Sequence, residues 1–454
     1  MGSKFQLILL DNVAEVIDSR HKTPNYTETG YPMVRVVDIK NGELDLKNTK
    51  RVTKDIYEDF SKGRSPQIGD LIISRVGSYG NISYVSKNEK FCLGQNTAFI
   101  IPNEKNSYLY YALISPFVQQ QINDMAVGAV QKTISLKSIK NLKIPYPELN
   151  IRNIISKKLR VIDYRISTND KINQTLEKMS QTLFKSWFVD FDPVIDNALD
   201  AGNPIPETLQ SRTELRQKVR NSTDFKPLPA EIRSLFPSEF EETELGWVPK
   251  GWTLKSVAKS ININPSLKLP KNKIAKYVDM KSLPTQGYSI SDIIEKPYSG
   301  GAKFQNNDTL FARITPCLEN GKTGFVDFLD EKETAFGSTE FIVMRGTPQV
   351  HYLYVACLAR ESNFRLHAIQ NMIGSSGRQR VQNSCFDSFY IAIPTPAVMS
   401  LFSGKVSSYF DKMYFCNLEN KSLTALRDTL LPKLISGELS LEDLPDLTTD
   451  TEAA

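Results

Sequence analysis

Residues 148 to 187, ELNIRNIISKKLRVIDYRISTNDKINQTLEKMSQTLFKSW, contain no Pro or Gly. Their apolar residues recur mostly every three or four positions: Ile151, Ile155, Leu159, Ile162, Ile166, Ile172, Leu176, Met179, Leu183 and Trp187. That spacing lays one stripe along an α-helix, and about forty residues make a rod of roughly 60 Å. A second stripe runs through 398–436, with Phe402, Val406, Phe410, Met413, Leu423, Leu426, Leu430 and Leu434. An Asn interrupts each stripe near its middle, Asn169 and Asn417, six residues after Asp163 and Asp411. A polar residue on a helix–helix seam fixes register at some cost in stability. The expected seam holds Ile162, Ile166, Asn169 and Leu176 on one helix and Phe410, Met413, Asn417 and Leu423 on the other. The bland alternative is two unrelated amphipathic helices, each packed on its own domain.

A chain of 454 residues exceeds one core, so two or three domains are expected. No run of eighteen apolar residues exists, and FQLILL near the start is too short for a membrane span. MGSKFQ lacks the hydroxyl residue of a myristoylation signal. Five Cys with no CxxC spacing read as free thiols in a reducing cytoplasm, without a metal site. Charge is unevenly spread. Residues 1–147 hold 19 Lys and Arg against 14 Asp and Glu, and residues 252–396 hold 17 against 12, so each is +5. The stretch 188–251 holds 7 against 12, or −5. Two basic regions suggest an anionic partner, a weak signal alone.

Residues 1–147 alternate short β-like runs (YPMVRVVDI, DLIISRV, NISYV, TAFIIP, NLKIPYP) with turn signals at 41–43, 77–81 and 102–107. One helix is expected over 107–122, giving an α+β domain. The stretch 188–251, with seven Pro, reads as a meandering connector with helical turns rather than a third core. Residues 252–396 then repeat the first domain. IGDLIISR at 68–75 matches NNDTLFAR at 306–313, SYLYYALIS at 107–115 matches HYLYVACLA at 351–359, and 128–147 matches 377–396. Arg75 pairs with Arg313, Gly128 with Gly377 and Pro145 with Pro394 in this alignment. A long helix follows each copy, so the unit of β-rich basic domain plus rod occurs twice, which implies a pseudo-twofold relation. The loops differ widely, as two domains reading two different sequences would.

SWFVDFDP at 186–193, ELGWVPKGW at 244–252 and LLPKLISGEL at 430–439, with DLIISRVGSYGNIS and VQKTIS, complete the pattern. Over essentially its whole length the chain resembles the specificity (S) subunit of a type I restriction–modification enzyme. The first copy departs from that family in lacking an IPxGW-like entry. The resemblance implies a non-catalytic, cytoplasmic reader of double-stranded DNA. It implies two homologous β-rich target-recognition domains held apart by two long antiparallel helices, a coiled-coil spacer, over a bipartite asymmetric target. The implied domains are 1–147 (first recognition domain), 148–190 (central helix), 191–246 (acidic connector), 247–396 (second recognition domain), 397–437 (distal helix) and 438–454 (acidic tail). The implied partners are two methyltransferase subunits and the motor–nuclease subunits, with S-adenosylmethionine, ATP and Mg on those partners only.

The sequence carries no catalytic motif of its own. It has no NPPY-like string, and ENGKTG at 319–324 has Pro316 where a Walker A motif needs Gly. Asp190, Asp192 and Asp196 read as a helix-to-linker joint rather than a cation site. His21, His351 and His367 lack partners at ligand spacing, and His351 is expected to cap or pack a helix. DNA-contact candidates are Arg75 and Arg313, able to grip guanine or phosphate or to form scaffold ion pairs. The polar loops add Gln131, Lys132, Arg378, Gln379 and Arg380. Tyr79 could wedge at a base step or merely close its turn, and Lys22, Arg35, Lys303 and Lys322 complete the basic set. Against a DNA reader stand an enzyme acting alone, opposed by the missing motifs, and a stand-alone nucleic-acid-binding or coiled-coil scaffold protein.

Overall fold

The computed structural model describes residues 3–129, 131–375 and 377–439. The expected acidic tail at 438–454 lies outside them from residue 440 onward. The chain is mixed α/β and divides into two compact units. Unit 1 takes the residues up to Ser167 and those from Asn420 onward, and unit 2 is Thr168–Glu419.

In unit 1 a five-stranded sheet runs in the order Ala14–Asp18, Thr97–Pro102, Leu71–Ser74, Ile82–Tyr84, Gly42–Glu43. A smaller sheet orders Lys50–Val52, Tyr31–Val34 and Cys92–Leu93. The helix expected over 107–122 is two helices, Tyr108–Ile114 and Pro116–Met125. Ser115 between them is extended, because a residue before Pro is pushed out of the helical region. The apolar faces of both helices enter one core with Leu71, Ile73, Ile82 and Ile100.

Unit 2 places Asn262–Ile263, Phe341–Arg345, Thr309–Ala312 and Thr323–Phe325 in one sheet. A second holds Ile294–Pro297, Ile274–Val278, Ala335–Gly337 and Ala302–Phe304 in that order. The two units build the turn before a central strand alike. Asp70 accepts from the Gln67 amide at 2.8 Å, and Asp308 from the Gln305 amide at 2.8 Å. Both carboxylates are buried and each needs a cation. Arg64 supplies it from the preceding loop and Arg345 from the neighbouring strand.

The first long helix spans Leu149–Phe184 and closes in a π-helical turn, Lys185–Val189; the second spans Pro396–Ser436. In unit 1, Ile155 and Leu159 share a core with Leu431, Leu434 and Ile435, and Arg427 donates to Asp163 at 3.1 Å. In unit 2, Asn169 donates to Glu419 at 2.9 Å and Asn173 to Asn417 at 2.8 Å. Rising numbers on one helix meet falling numbers on the other, so the segments pack antiparallel within each unit. Of the expected seam residues, Ile162, Asn169, Phe410 and Met413 are buried. Ile166, Leu176, Asn417 and Leu423 are half-buried. Asn169 and Asn417 face different partners rather than each other.

The connector has the helical turns expected of it and makes no third core among the described residues; it adds instead to the core of unit 2. Helices Asp192–Ala201 and Gln210–Arg220 are joined by a ladder of carboxylates and guanidiniums. Arg212 is bidentate to Asp192 (2.6 and 2.8 Å), Arg216 is bidentate to Asp196 (2.6 and 2.8 Å), and Arg220 and Arg233 meet Asp200. Both rows step by four residues, one helical turn, so the rows align. Beneath them Val194, Ile195 and Ala198 are fully buried, and Phe236 packs edge-on to Trp187 at 4.9 Å. Asp190 takes Lys185 as its partner, so all three carboxylates of the joint are matched by cations. Among the described residues no group of side chains has metal-ligand geometry, and no helix is long and apolar enough to cross a membrane.

Candidate nucleic-acid interface

In each unit one arginine ties a central strand to a hairpin. Arg75 follows the strand Leu71–Ser74; its amide donates to Asn96 O, its carbonyl accepts from the Ile134 amide, and its Nε reaches Ile134 O at 3.3 Å. Its guanidinium also pairs with Asp18. Arg313 follows Thr309–Ala312; its amide donates to Glu340 O, its carbonyl accepts from the Val381 amide, and its guanidinium reaches Val381 O at 2.9 Å. Both are therefore scaffold-bound, one through an ion pair and one through a backbone carbonyl. No carboxylate lies within salt-bridge distance of Arg313 among the described residues.

The hairpins they hold are equivalent in register. Val76 bridges Thr133, and Ile314 bridges Arg380. The Gly77 amide donates to Lys132 O, and the Thr315 amide to Gln379 O. Gln131 thus corresponds to Arg378, Lys132 to Gln379 and Thr133 to Arg380. Val127 closes on Thr133 in unit 1 and Ile373 on Arg380 in unit 2, so the second hairpin is one residue longer.

Glycine explains how both tips turn. A Cβ on Gly128, at φ 119°, would lie 2.3 Å from Gln131 O; one on Gly374, at φ 136°, would lie 2.9 Å from Arg378 O. Only Gly tolerates that backbone and that approach. Gly377, aligned with Gly128 by sequence, has open space around it. Gly374 fills that role because the extra residue shifts the alignment.

At the tips, Gln131, Lys132 and Arg378 are exposed and Gln379 is half-buried. Arg380 instead makes a bidentate pair with Glu340, at 2.7 to 3.0 Å. Hydrogen bonding from that guanidinium holds the Glu340 carboxyl below its usual range. Arg35 is likewise committed, donating to Asp38 at 3.0 and 3.1 Å, and Lys322 donates to Met280 O at 2.7 Å. Tyr79 packs on the core of unit 1 while its hydroxyl donates to Asn123 at 3.0 Å. Lys22 is exposed at 4.0 Å from Asp59. Lys303 lies 5.9 Å from the ring centre of Tyr298, in a different sheet from the hairpin. His351 caps its helix as expected, its Nδ1 accepting from the Leu353 amide at 3.2 Å.

Sequence reasoning missed Glu340, Asp18 and Asn96, the groups that fix the arginines. Asp18 and Asn96 stand in one copy only, and nothing in their local strings marks them.

Residues 3–178 match the family described as "Type I restriction modification DNA specificity domain". The chain is 23% identical to the type I restriction enzyme HindI specificity subunit of Haemophilus influenzae, over 93% of this chain and 97% of that one. It is 24% identical to the type I restriction enzyme MjaIX specificity subunit of Methanocaldococcus jannaschii, over 93% and 90%. The crystal structure of the type I restriction–modification S subunit from M. genitalium shares its fold. The TM-score is 0.51 at 15% identity, covering 98% of this chain and 97% of that one.

Proposed function

This chain belongs to the type I restriction–modification specificity subunits, and on that premise we propose that each of its two units reads one half of a bipartite, asymmetric DNA target. The observation that carries this is the pair of hairpins: one register, one arginine anchor and one glycine turn, but unlike tips. Gln131 and Lys132 on one, Arg378 and Gln379 on the other, present different donors and acceptors to base edges. Arg75, Arg313 and Arg380 act as the frame behind those tips. In this reading the domains are the two recognition domains, helices and connector with the boundaries expected from the sequence. The units are two copies of one plan, and the two helices, periodic in sequence over about forty residues, form the coiled-coil spacer between half-sites. The chain is non-catalytic. Methyltransferase and motor–nuclease subunits dock on its helical region and bring S-adenosylmethionine, ATP and Mg.

The test is selection of bound sequences from a random DNA pool by the assembled methyltransferase complex. Arg378→Ala with Gln379→Ala is expected to relax preference in one half-site, by about 1–3 kcal/mol for each base interaction removed. Gln131→Ala with Lys132→Ala is expected to relax only the other. Equal relaxation of both halves by either variant overturns the assignment. Methylation by the purified chain alone would overturn the non-catalytic reading.

A further inference from the structure

The small sheets of the two units share a register at a constant offset of 244. Met33 pairs with Cys92 and Val34 with Leu93 in unit 1; Tyr277 pairs with Phe336 and Val278 with Gly337 in unit 2, both in parallel. In unit 1 the chain leaves this sheet and folds back as the helix Lys54–Phe60. Ile56, Tyr57 and Phe60 then cover Met33, Val52 and Cys92, with Tyr57 stacked on Tyr31 at 4.3 Å. In unit 2 the chain forms a fourth strand, Ala302–Phe304, and among the described residues no helix side chain joins the cluster of Leu269, Ala275 and Phe336 on the corresponding face.

Register shows what stands there. Tyr277 and Lys303 both lie opposite Phe336, and Lys296 lies opposite Ala275, two residues before Tyr277, so all four side chains share the face. Tyr298 packs edge-on to Phe336 at 5.1 Å, and Leu269 joins the cluster. Lys296 Nζ sits 3.3 Å from the ring centre of Tyr277, and Lys303 Nζ 5.9 Å from that of Tyr298. Both ammoniums stand over aromatic rings, and a cation–π contact uses one side of an ammonium, leaving its other N–H donors for an anion. Exposed Lys268, Lys271 and Lys273 surround Leu269 in the stretch that leads into the strand Ile274–Val278. None of these five lysines has a carboxylate within salt-bridge distance among the described residues. Of the acidic side chains nearby, Asp279 is engaged with the Tyr277 hydroxyl and the Lys281 amide and Glu333 with Lys276, while Glu295 lies opposite Lys276 on the other face of the sheet.

Charge separates the two units sharply. Residues 24–62 hold seven Lys and Arg against seven Asp and Glu, while the equivalent 268–306 hold seven against three, a net +4. We infer that this lysine–tyrosine face of unit 2 grips the phosphate backbone of duplex DNA, independently of base sequence and outside the bases read by the hairpin. The inference deepens the DNA-reading role and rests on it. The lysines on this face suit a polyanion, since strand alternation turns Glu295 to the opposite face beside Lys276, and a helix of unit 1 closes the matching face to any such ligand.

The experiment measures binding of the full chain to a 30-base-pair duplex of random sequence across a salt series. Lys271→Ala, Lys296→Ala and Lys303→Ala together are expected to weaken low-salt binding roughly tenfold or more. The slope of log affinity against log salt should fall by about 2–3, near 0.9 for each phosphate no longer neutralised. A control with Lys47→Ala, Lys50→Ala and Lys54→Ala in unit 1 should leave the slope within about one unit of wild type. An unchanged slope in the unit 2 triple variant, with tryptophan fluorescence like wild type, overturns the inference. So does loss of a co-purified protein with DNA binding intact, which would assign the face to a protein partner. Where the variant loses fluorescence, Lys→Gln at the same positions replaces it under the same criteria. Sequence selection is run in parallel. Selectivity kept with the slope unchanged sinks this inference alone, and a wild-type chain that selects no sequence when assembled with its methyltransferase subunits sinks the bipartite-reader proposal instead.

Discussion

The helix pair is held by different chemistry in the two units. In unit 2 it is wedged by aromatic rings: Phe402 lies 4.8 Å from Phe188, 6.1 Å from Phe184, 6.2 Å from Trp187 and 6.4 Å from Tyr354. In unit 1 the packing of Ile155 and Leu159 on Leu431, Leu434 and Ile435 contains no aromatic wedge among the described residues, and a polar triad is added to it. Asp163 accepts from the Tyr111 hydroxyl at 2.9 Å and from Arg427 at 3.1 Å, and burial beside that carboxylate pushes the Tyr111 phenol far above its usual range. Rings fill volume and tolerate small shifts. A carboxylate between a phenol and a guanidinium is directional, and removing any member strands the others. One helix–helix frame can thus be locked by either means, and the two locks should fail differently.

The largest effect is expected from Phe402→Ala, a cavity in a fully buried site, at about 3–5 kcal/mol. All three Trp (187, 247 and 252) lie in unit 2, so denaturant melts followed by tryptophan fluorescence report that loss directly. A loss under about 1 kcal/mol would show that the rings are not the lock. Asp163→Ala should cost about 2–3 kcal/mol, discounted for the partial exposure of both partners. Hydrogen exchange over 108–114 reads it, with tryptophan fluorescence unmoved. Adding Tyr111→Phe and Arg427→Met should recover part of that cost, and further loss instead would contradict the triad.

The third test exploits a difference in polarity. Asp327 in unit 2 follows Phe325 and Val326, where unit 1 has Ser86 after Tyr84 and Val85. Burial pushes the Asp327 carboxyl up to about 6. The folded state therefore holds its proton more tightly than the unfolded one, so stability falls as pH rises from about 4 to about 6. Asp327→Asn should stabilise unit 2 by about 1–2 kcal/mol at about pH 8 and not at about pH 4. An equal effect at both pH values would refute the shift. The smallest effect belongs to Glu340→Gln, which frees the partly exposed Arg380 and should change stability by under about 1 kcal/mol. Sequence selection by that variant should then show whether a freed Arg380 reaches bases.

The two stripes were legible in the sequence because helical periodicity is a local signal. The strand and turn that both units build alike were legible where strings such as IGDLIISR and NNDTLFAR kept their length. The hairpin alignment was not, since one extra residue between Ile373 and Arg380 moves Gly374, not Gly377, into the place of Gly128. The connector's order could have been read from Asp192, Asp196 and Asp200 set against Arg212, Arg216 and Arg220, two rows at helical spacing and constant offset. Proline content concealed it. The lysine–tyrosine face was beyond local reading, because only strand register shows that Tyr277, Lys296, Lys303 and Phe336 point the same way.

Unit 1 is assembled from two distant pieces of sequence. Leu431, Leu434 and Ile435 line its core, and the Lys4 amide donates to Ser436 O at 2.8 Å. Unit 2 is one uninterrupted stretch. On the ribosome, the domain that emerges first is therefore completed last. Ile155 and Leu159 face an open wall while about 250 further residues are added, which at roughly 5–20 residues per second takes on the order of 10–50 s. The order of synthesis and the order of completion run in opposite directions along this chain.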